Sequence, residues 1–254
     1  MSAMRTGVLA CVLLAAICLA SITAAQTSWQ RTYDGPGYDG GWSVQQTTDG
    51  GYIITGYTYS FGPGTPSYSN VYLVKTNASG DTLWTRTYGG ARNDRGNSVQ
   101  QTSDGGYIVA GFTWSFGVGA DDVYFVKTDA QGDTLWTRAY GGPSNDEGYA
   151  VQQTADGGYI IAGNTNSFGV GTPDSDNVYV IKTDPSGDTL WTRTYGGPGY
   201  DEGWSVQQTT DGGYIIAGRT QSFGAGYHDV YLIRTDAQIH YVKPCLISAL
   251  AGGA

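Results

Sequence analysis

The sequence predicts an all-β chain of four small antiparallel sheets, each built from one copy of an internal repeat. Three observations carry that expectation. The phrase DGGYIIAG occupies residues 156–163 and 211–218, with DGGYIITG at 49–56 and DGGYIVAG at 104–111. Its neighbours recur with it: Val44, Val99, Val151 and Val206 stand 55, 52 and 55 residues apart, and Trp29, Trp84, Trp136 and Trp191 keep the same intervals. No apolar period of 3.6 residues appears after the first 25 residues; each unit breaks instead into four short β-rich runs separated by Gly, Asp and Asn. Repetition at this period points to propellers or helical arrays.

The chain starts with one positive charge, Arg5, ahead of an uncharged apolar run and then small residues. That is the anatomy of a secretory signal, with cleavage near Ala25 and a secreted or cell-surface location. A lipoprotein cysteine at Cys11 would leave almost no apolar segment before it. Removing residues 1–25 takes away Cys11 and Cys18, so the mature chain keeps Cys245 alone and forms no internal disulfide.

Next comes residues 29–33, WQRTY, which match 84–88, WTRTY, the fourth run of a unit whose first three runs are missing here. In the second unit the four runs are 98–102, 107–113, 123–128 and 134–140. Tight turns with glycine, Ser103-Asp104-Gly105-Gly106 and Asp129-Ala130-Gln131-Gly132, join the first pair and the last pair. The connection from 114 to 122 is longer. Runs such as Tyr-Ile-Ile-Ala and Val-Tyr-Leu-Val put apolar side chains on both faces of a sheet, because neighbouring strand residues point opposite ways. With no helices for cover, each face must lie on the sheet of the next repeat. Radial stacking of that kind is a β-propeller, here of four four-stranded blades. In this reading Asp-Gly-Gly makes the turn, Tyr-Ile-Ile fills the gap between blades, and the closing glycine lets the chain leave the sheet.

The last unit runs to Thr235 and lacks its fourth run, so residues 29–33 are expected to complete that sheet and close the ring. The alternative is a truncated part of a larger propeller. After Gln238 the repeat calls for Gly-Asp-Thr-Leu-Trp, whereas the chain reads Ile239-His240-Tyr241-Val242. A one-base shift of reading frame turns Asp-Thr-Leu into Ile-His-Tyr, which would make His240, Cys245 and the apolar end accidental. The expected division is therefore a signal at 1–25, a repeat domain at 26–238 and a divergent tail at 239–254.

The repeat layout resembles kelch: an inner strand, a second strand ending in glycine (Gly111), a long loop, then Asp122-Val123-Tyr124 and a tryptophan, Trp136, in the last strand. It is still more similar to tandem repeats of secreted bacterial and archaeal propeller proteins, written SVQQTxDGGYIIAG…DVYLIKTDxxGDTLWTRTYGG, over about residues 27–238. One glycine stands where kelch has a pair, so kelch partners are not implied. The bacterial repeats imply a secreted or surface propeller with no agreed activity.

The 254-residue sequence has 40 glycines and 20 tyrosines, 40% hydrophobic residues and 14% charged ones, which is apolar enough to fold. Without Arg5 the balance is 12 basic against 22 acidic residues, a net charge of −10. That charge repels nucleic acid and anionic lipid, and suits cations or neutral ligands such as sugars. The mature chain has no segment long enough to span a bilayer as a helix. Its two histidines, His228 and His240, are too few for a histidine metal cluster or a Ser-His-Asp triad. The glycines of Gly117-Val118-Gly119 lead into a loop, with no helix terminus to hold phosphate. No catalytic residue and no cofactor is therefore expected.

Two sets of loop residues are candidates for binding. Asp39, Asp94, Asp146 and Asp201 lie four residues ahead of each inner strand, where they would ring an axial channel and bind Ca²⁺, or else cap backbone N–H groups in their own turns. Trp42, Tyr59, Trp114, Tyr149 and Trp204 sit at positions that differ between repeats and are placed to stack on a sugar ring. The expected function is a non-catalytic binding or structural module for an unidentified protein or glycan partner, with a lectin-like propeller as the alternative. A glycoside hydrolase would need paired carboxylates unlike their counterparts in other blades.

Overall fold

Gly, Asp and Asn break each repeat into strands too short to fold alone, and the strands pair with their sequence neighbours as a meander. The computed structural model describes residues 28–171 and 175–236. The signal segment and the tail from 239 onward, with His240 and Cys245, lie outside the described residues. The first sheet holds β1 (Asp39–Gln46), β2 (Tyr52–Thr58), β3 (Asn70–Thr76) and β4 (Thr82–Tyr88). The second holds β5 (Asp94–Gln101), β6 (Tyr107–Thr113), β7 (Asp122–Thr128) and β8 (Thr134–Tyr140). The third holds β9 (Asp146–Gln153), β10 (Tyr159–Thr165), β11 (Asn177–Thr183) and β12 (Thr189–Tyr195). The fourth has three strands, β13 (Asp201–Gln208), β14 (Tyr214–Thr220) and β15 (Asp229–Thr235). All pairing is antiparallel, and among the described residues no helix is long and apolar enough to cross a membrane.

Each inner strand begins four residues earlier than its β-rich run suggests, because it carries a bulge. Gly96 pairs with Gly111 and Ser98 with Ala110, leaving Asn97 unpaired; Trp42, Tyr149 and Trp204 are its counterparts. The bulge also corrects the role of the repeated glycine. The chain does not leave the sheet at Gly111; β6 continues to Thr113, and a Cβ on Gly111 would run into the Arg95 carbonyl of the bulged strand.

Three clusters of buried side chains form the core, one between each pair of successive sheets. The second, for example, packs Ile108, Val123 and Phe125 of the second sheet on Val151, Ile161 and Ile181 of the third. Alternate residues of one strand thus serve different interfaces, which is why the runs are apolar on both faces. A glycine makes a notch for the preceding sheet: a Cβ on Gly96 would stand 3.1 Å from Val71 Cγ1, on Gly148 3.1 Å from Val123 Cγ1, and on Gly203 2.9 Å from Val178 Cγ1. Each outer tryptophan from Trp84 on then meets the tyrosine that opens the second strand of the next sheet, as Trp84 meets Tyr107 with ring centroids 5.7 Å apart.

The repeated Gln-Gln pair clamps neighbouring sheets together. The Gln101 N–H donates to Gln45 Oε1, and Gln101 Oε1 accepts from the Thr48 N–H at 2.8 Å. Gln153 with Gln100 and Ser103, and Gln208 with Gln152 and Ala155, repeat both bonds.

Closure by residues 29–33 is not seen. They form no strand and do not pair with β15. Instead Trp29 lies 5.8 Å from Tyr52, the Tyr33 hydroxyl donates to the Gly80 carbonyl at 2.8 Å, and Arg31 pairs with Asp81. Those are the contacts that Trp84, Tyr88 and Arg86 make with Tyr107, Gly132 and Asp133. The segment therefore sits on the first sheet as the outer strand of a preceding sheet would, while the far edge of the fourth sheet has no strand beside it among the described residues.

Candidate functional site

The tight turns lie at one end of the sheets and the long loops at the other, and side chains at the loop end vary from repeat to repeat. The residue before the notch glycine is Gly40, Arg95, Glu147 or Glu202, and its partner across the strand pair is Tyr57, Phe112, Asn164 or Arg219. The bulge re-aims the residue beyond the glycine, Trp42, Asn97, Tyr149 or Trp204, out of the ladder. A constant backbone device thus displays a different group on each sheet.

On the first sheet the display is aromatic. Trp42 meets Tyr57 at 5.6 Å and Tyr59 meets Tyr57 at 6.0 Å, both edge to face. Arg95 reaches across from the second sheet, its guanidinium 4.8 Å from the Tyr57 ring centre and 5.6 Å from that of Trp42. On the fourth sheet Arg219 grips Glu202 through two bonds of 2.9 and 2.7 Å, Trp204 Nε1 donates to the same carboxylate at 2.8 Å, and the guanidinium lies 5.0 Å from the Trp204 ring centre.

Between them the third sheet offers a cleft of about 320 Å³ lined by Glu147, Tyr149, Asn164, Asn166, Asp176 and Tyr200. Burial, together with the nearby Asp121, Asp176 and Glu202 carboxylates, pushes the Glu147 carboxyl up to about 7. Burial raises Asp121 to about 6 against the pull of Arg95. Burial also raises Asp176, although Asn164 and Asn166 donate to it. The Asn164 side-chain oxygen is buried and accepts no hydrogen bond. Chemically, the cleft presents amides, an acid that holds its proton near neutral pH and aromatic rings.

The sequence-predicted residues divide among these places. Trp42 and Tyr59 join the first-sheet cluster, Tyr149 lines the cleft and Trp204 caps the Glu202–Arg219 pair. Trp114 stands apart, in a groove with Arg92, Phe116 and Val118. Each of the four aspartates is enclosed by its own loops. Asp94 accepts from the Gly90 N–H at 2.8 Å, from the Ser115 hydroxyl at 2.7 Å and from Thr113; Asp146 and Asp201 repeat the Gly and Ser bonds, and Asp39 takes Gly35 and Ser60. Among the described residues no three Asp, Glu, His or Cys side chains gather where they could hold a metal ion. Sequence reasoning passed over Arg95, Asp121, Glu147, Asp176, Glu202 and Arg219. The signal was present: the residue after the repeated loop aspartate reads Gly, Arg, Glu and Glu between an aspartate and a glycine that do not change.

No family model matches the chain. The regulatory protein FlaEY of Caulobacter vibrioides is 29% identical to it over 206 residues, covering 76% of this chain and 19% of FlaEY. The chain thus spans about a fifth of the length of the curated relative it matches.

Proposed function

We propose that the four sheets are blades of a propeller-type ring and that the chain is an exported, non-catalytic interaction module binding its partner at the loop end. The observation that supports this best is the contrast between nearly constant sheets and a loop end where the residue before the notch glycine is Gly40, Arg95, Glu147 or Glu202 and its cross-strand partner is Tyr57, Phe112, Asn164 or Arg219. A scaffold that holds varied side chains in fixed places serves recognition. The likeness to a protein named as regulatory is compatible with that role. The third-sheet cleft favours a carbohydrate as the bound group: its amides and carboxyls suit hydroxyls, and Tyr149 and Tyr200 give an apolar wall.

A polysaccharide panel tests both parts. Saturable binding without turnover, lost in Tyr149→Ala and retained in Val118→Ala, is the expected result. Glu147 faces Asn164 across its strand pair, whereas its counterpart Glu202 is held by Arg219, so release of reducing sugar that disappears in Glu147→Gln would replace the binding reading with a hydrolytic one.

A further inference from the structure

Among the described residues the two ends of the stack of sheets are left open, and they match each other. At the fourth sheet Val230 is 89% and Leu232 65% exposed, although their counterparts Val71, Leu73, Val123 and Phe125 are buried. At the first sheet Val44 is 64% exposed where Val99 is 6%. Gly41 is the notch glycine of that sheet, yet a Cβ placed on it would meet only Ile54 of its own sheet. Around it lies an apolar cavity of about 310 Å³ lined by Tyr33, Gly41, Ile54, Tyr72 and Val74. Three notches therefore hold the valines Val71, Val123 and Val178, the fourth notch is empty, and the fourth valine, Val230, has no notch.

The polar pattern is equally unfinished. Among the described residues the Gln207 side chain has no following sheet from whose N–H it could accept, and the Gln46 side chain bonds only to Gly50 of its own turn. Among the described residues β15 has an unpaired edge, and residues 29–33 hold an outer-strand position on the first sheet without inner strands beside them. An unpaired strand edge next to exposed apolar side chains is a template for another chain.

We propose that a second copy of this chain docks head to tail, its first sheet covering the fourth sheet of the first copy as each sheet covers the one before it. This rests on the blade reading of the sheets and not on any ligand at the loop end. The internal register gives the contacts. Val71 pairs with Tyr88 and Leu73 with Arg86 across β3 and β4, so Val230 pairs with Tyr33 and Leu232 with Arg31 of the second copy. Val230 then seats at Gly41, and Gln46 of the second copy donates its N–H to Gln207. Such an interface is heterologous, using different patches on the two copies, so it closes into a ring or extends according to the angle per copy.

Light scattering on the full mature chain across a concentration series tests the proposal. The expected result is a mass of two or more chains. The Val230→Asp/Leu232→Asp double variant, whose changes fall on exposed side chains, and Gly41→Leu each give single chains, with the dissociation constant raised at least about thirtyfold. Val44→Asp, also at an exposed position, checks the first-sheet end should Gly41→Leu fold poorly. Mixing a first-sheet variant with the fourth-sheet variant then restores a complex of two chains, because each copy brings one intact end. A single-chain mass for the unaltered protein at about 100 μM, masses unchanged by the variants, or a mixture that stays as single chains would each overturn it, closure by the chain's own residues being covered by the first of these.

Discussion

The turn end and the loop end of these sheets are built from the same strands, yet ionisation acts on them in opposite directions. At the turn end, Asp49, Asp104 and Asp156 each sit over a buried lysine, Lys75, Lys127 and Lys182, whose Nζ also donates to the carbonyl of the next residue. The Lys75 ammonium and Thr47 hydroxyl hold Asp49 well below the usual carboxylate range. Burial opposes ionisation of Asp104, but Lys127 and Thr102 outweigh it and bring the carboxyl to about 2. Around the third-sheet cleft at the loop end burial wins, and Glu147 and Asp121 keep their protons to about 7 and about 6. In the constant turns charges are paired for stability; around the third-sheet cleft they are crowded at a cost to stability. Binding sites commonly carry perturbed groups of the second kind.

The largest break in this contrast is expected from the constant part. Gly111→Val drives a side chain into the Arg95 carbonyl across the bulge, which the backbone of two paired strands cannot vacate. A loss of about 4 kcal/mol or more is expected, of the size reserved for backbone and core clashes. In thermal unfolding that is a fall of roughly 10 °C for a domain of this size. An unchanged midpoint would mean that the bulge is not fixed by its glycine.

Asp104→Ala comes next. It leaves the Lys127 ammonium, 4% exposed at the side chain, with only the Thr128 carbonyl. Because the Asp104 side chain is 57% exposed and water can partly replace it, the expected cost is about 1–3 kcal/mol, below that of a fully buried pair. The same pair sets a pH window. A carboxyl with a lowered native pKa gives stability that is complete above its unfolded value near 4 and is lost as pH falls through the native value near 2. Acid melting curves of the unaltered chain should fall through that interval, and Asp104→Ala should flatten part of the fall.

The strands themselves were legible in the sequence. The runs 107–113 and 134–140 coincide with β6 and β8, because Gly-Asp turns and β-branched residues act locally. The early start of β5 was hidden, since Asp94-Arg95-Gly96-Asn97 reads as loop composition and becomes strand only through the bulge against β6. Gln-Gln repeated as plainly as Asp-Gly-Gly, yet its partners lie about 50 residues away in the neighbouring sheet, beyond any local pattern. The open fourth sheet was half legible: the missing fourth run showed in the sequence, whereas the seat of residues 29–33 against the first sheet depends on where Tyr52 and Gly80 stand in space.

Glu147→Gln isolates the opposing end. A carboxyl whose native pKa is raised favours the fold below its unfolded value of 4.5, and that advantage disappears as pH rises through about 7. The unaltered chain should therefore lose about 1–3 kcal/mol between pH 5 and pH 8 from this group. The glutamine variant should melt with less pH dependence over that range. An equally sloped curve for the variant would move the cause to Asp121, with its native value near 6.

The smallest effect on stability should come from Trp204→Ala, and that smallness is informative. Trp204 is 49% exposed; it adds one hydrogen bond to Glu202 and a ring beside Arg219, while the two Glu202–Arg219 bonds stay intact without it. A half-exposed cation–ring contact contributes about 0.5–1 kcal/mol, so the midpoint should move by only a few degrees. A bulge that pushes such a large apolar side chain half into water for so little gain in stability has a rationale if a ligand covers the ring. Protection of the Trp204 indole from fluorescence quenching by acrylamide when a glycan from the panel is present is then the expected outcome. Quenching that stays the same at saturating ligand would remove the fourth sheet from the binding surface and leave the cleft of the third sheet as the site.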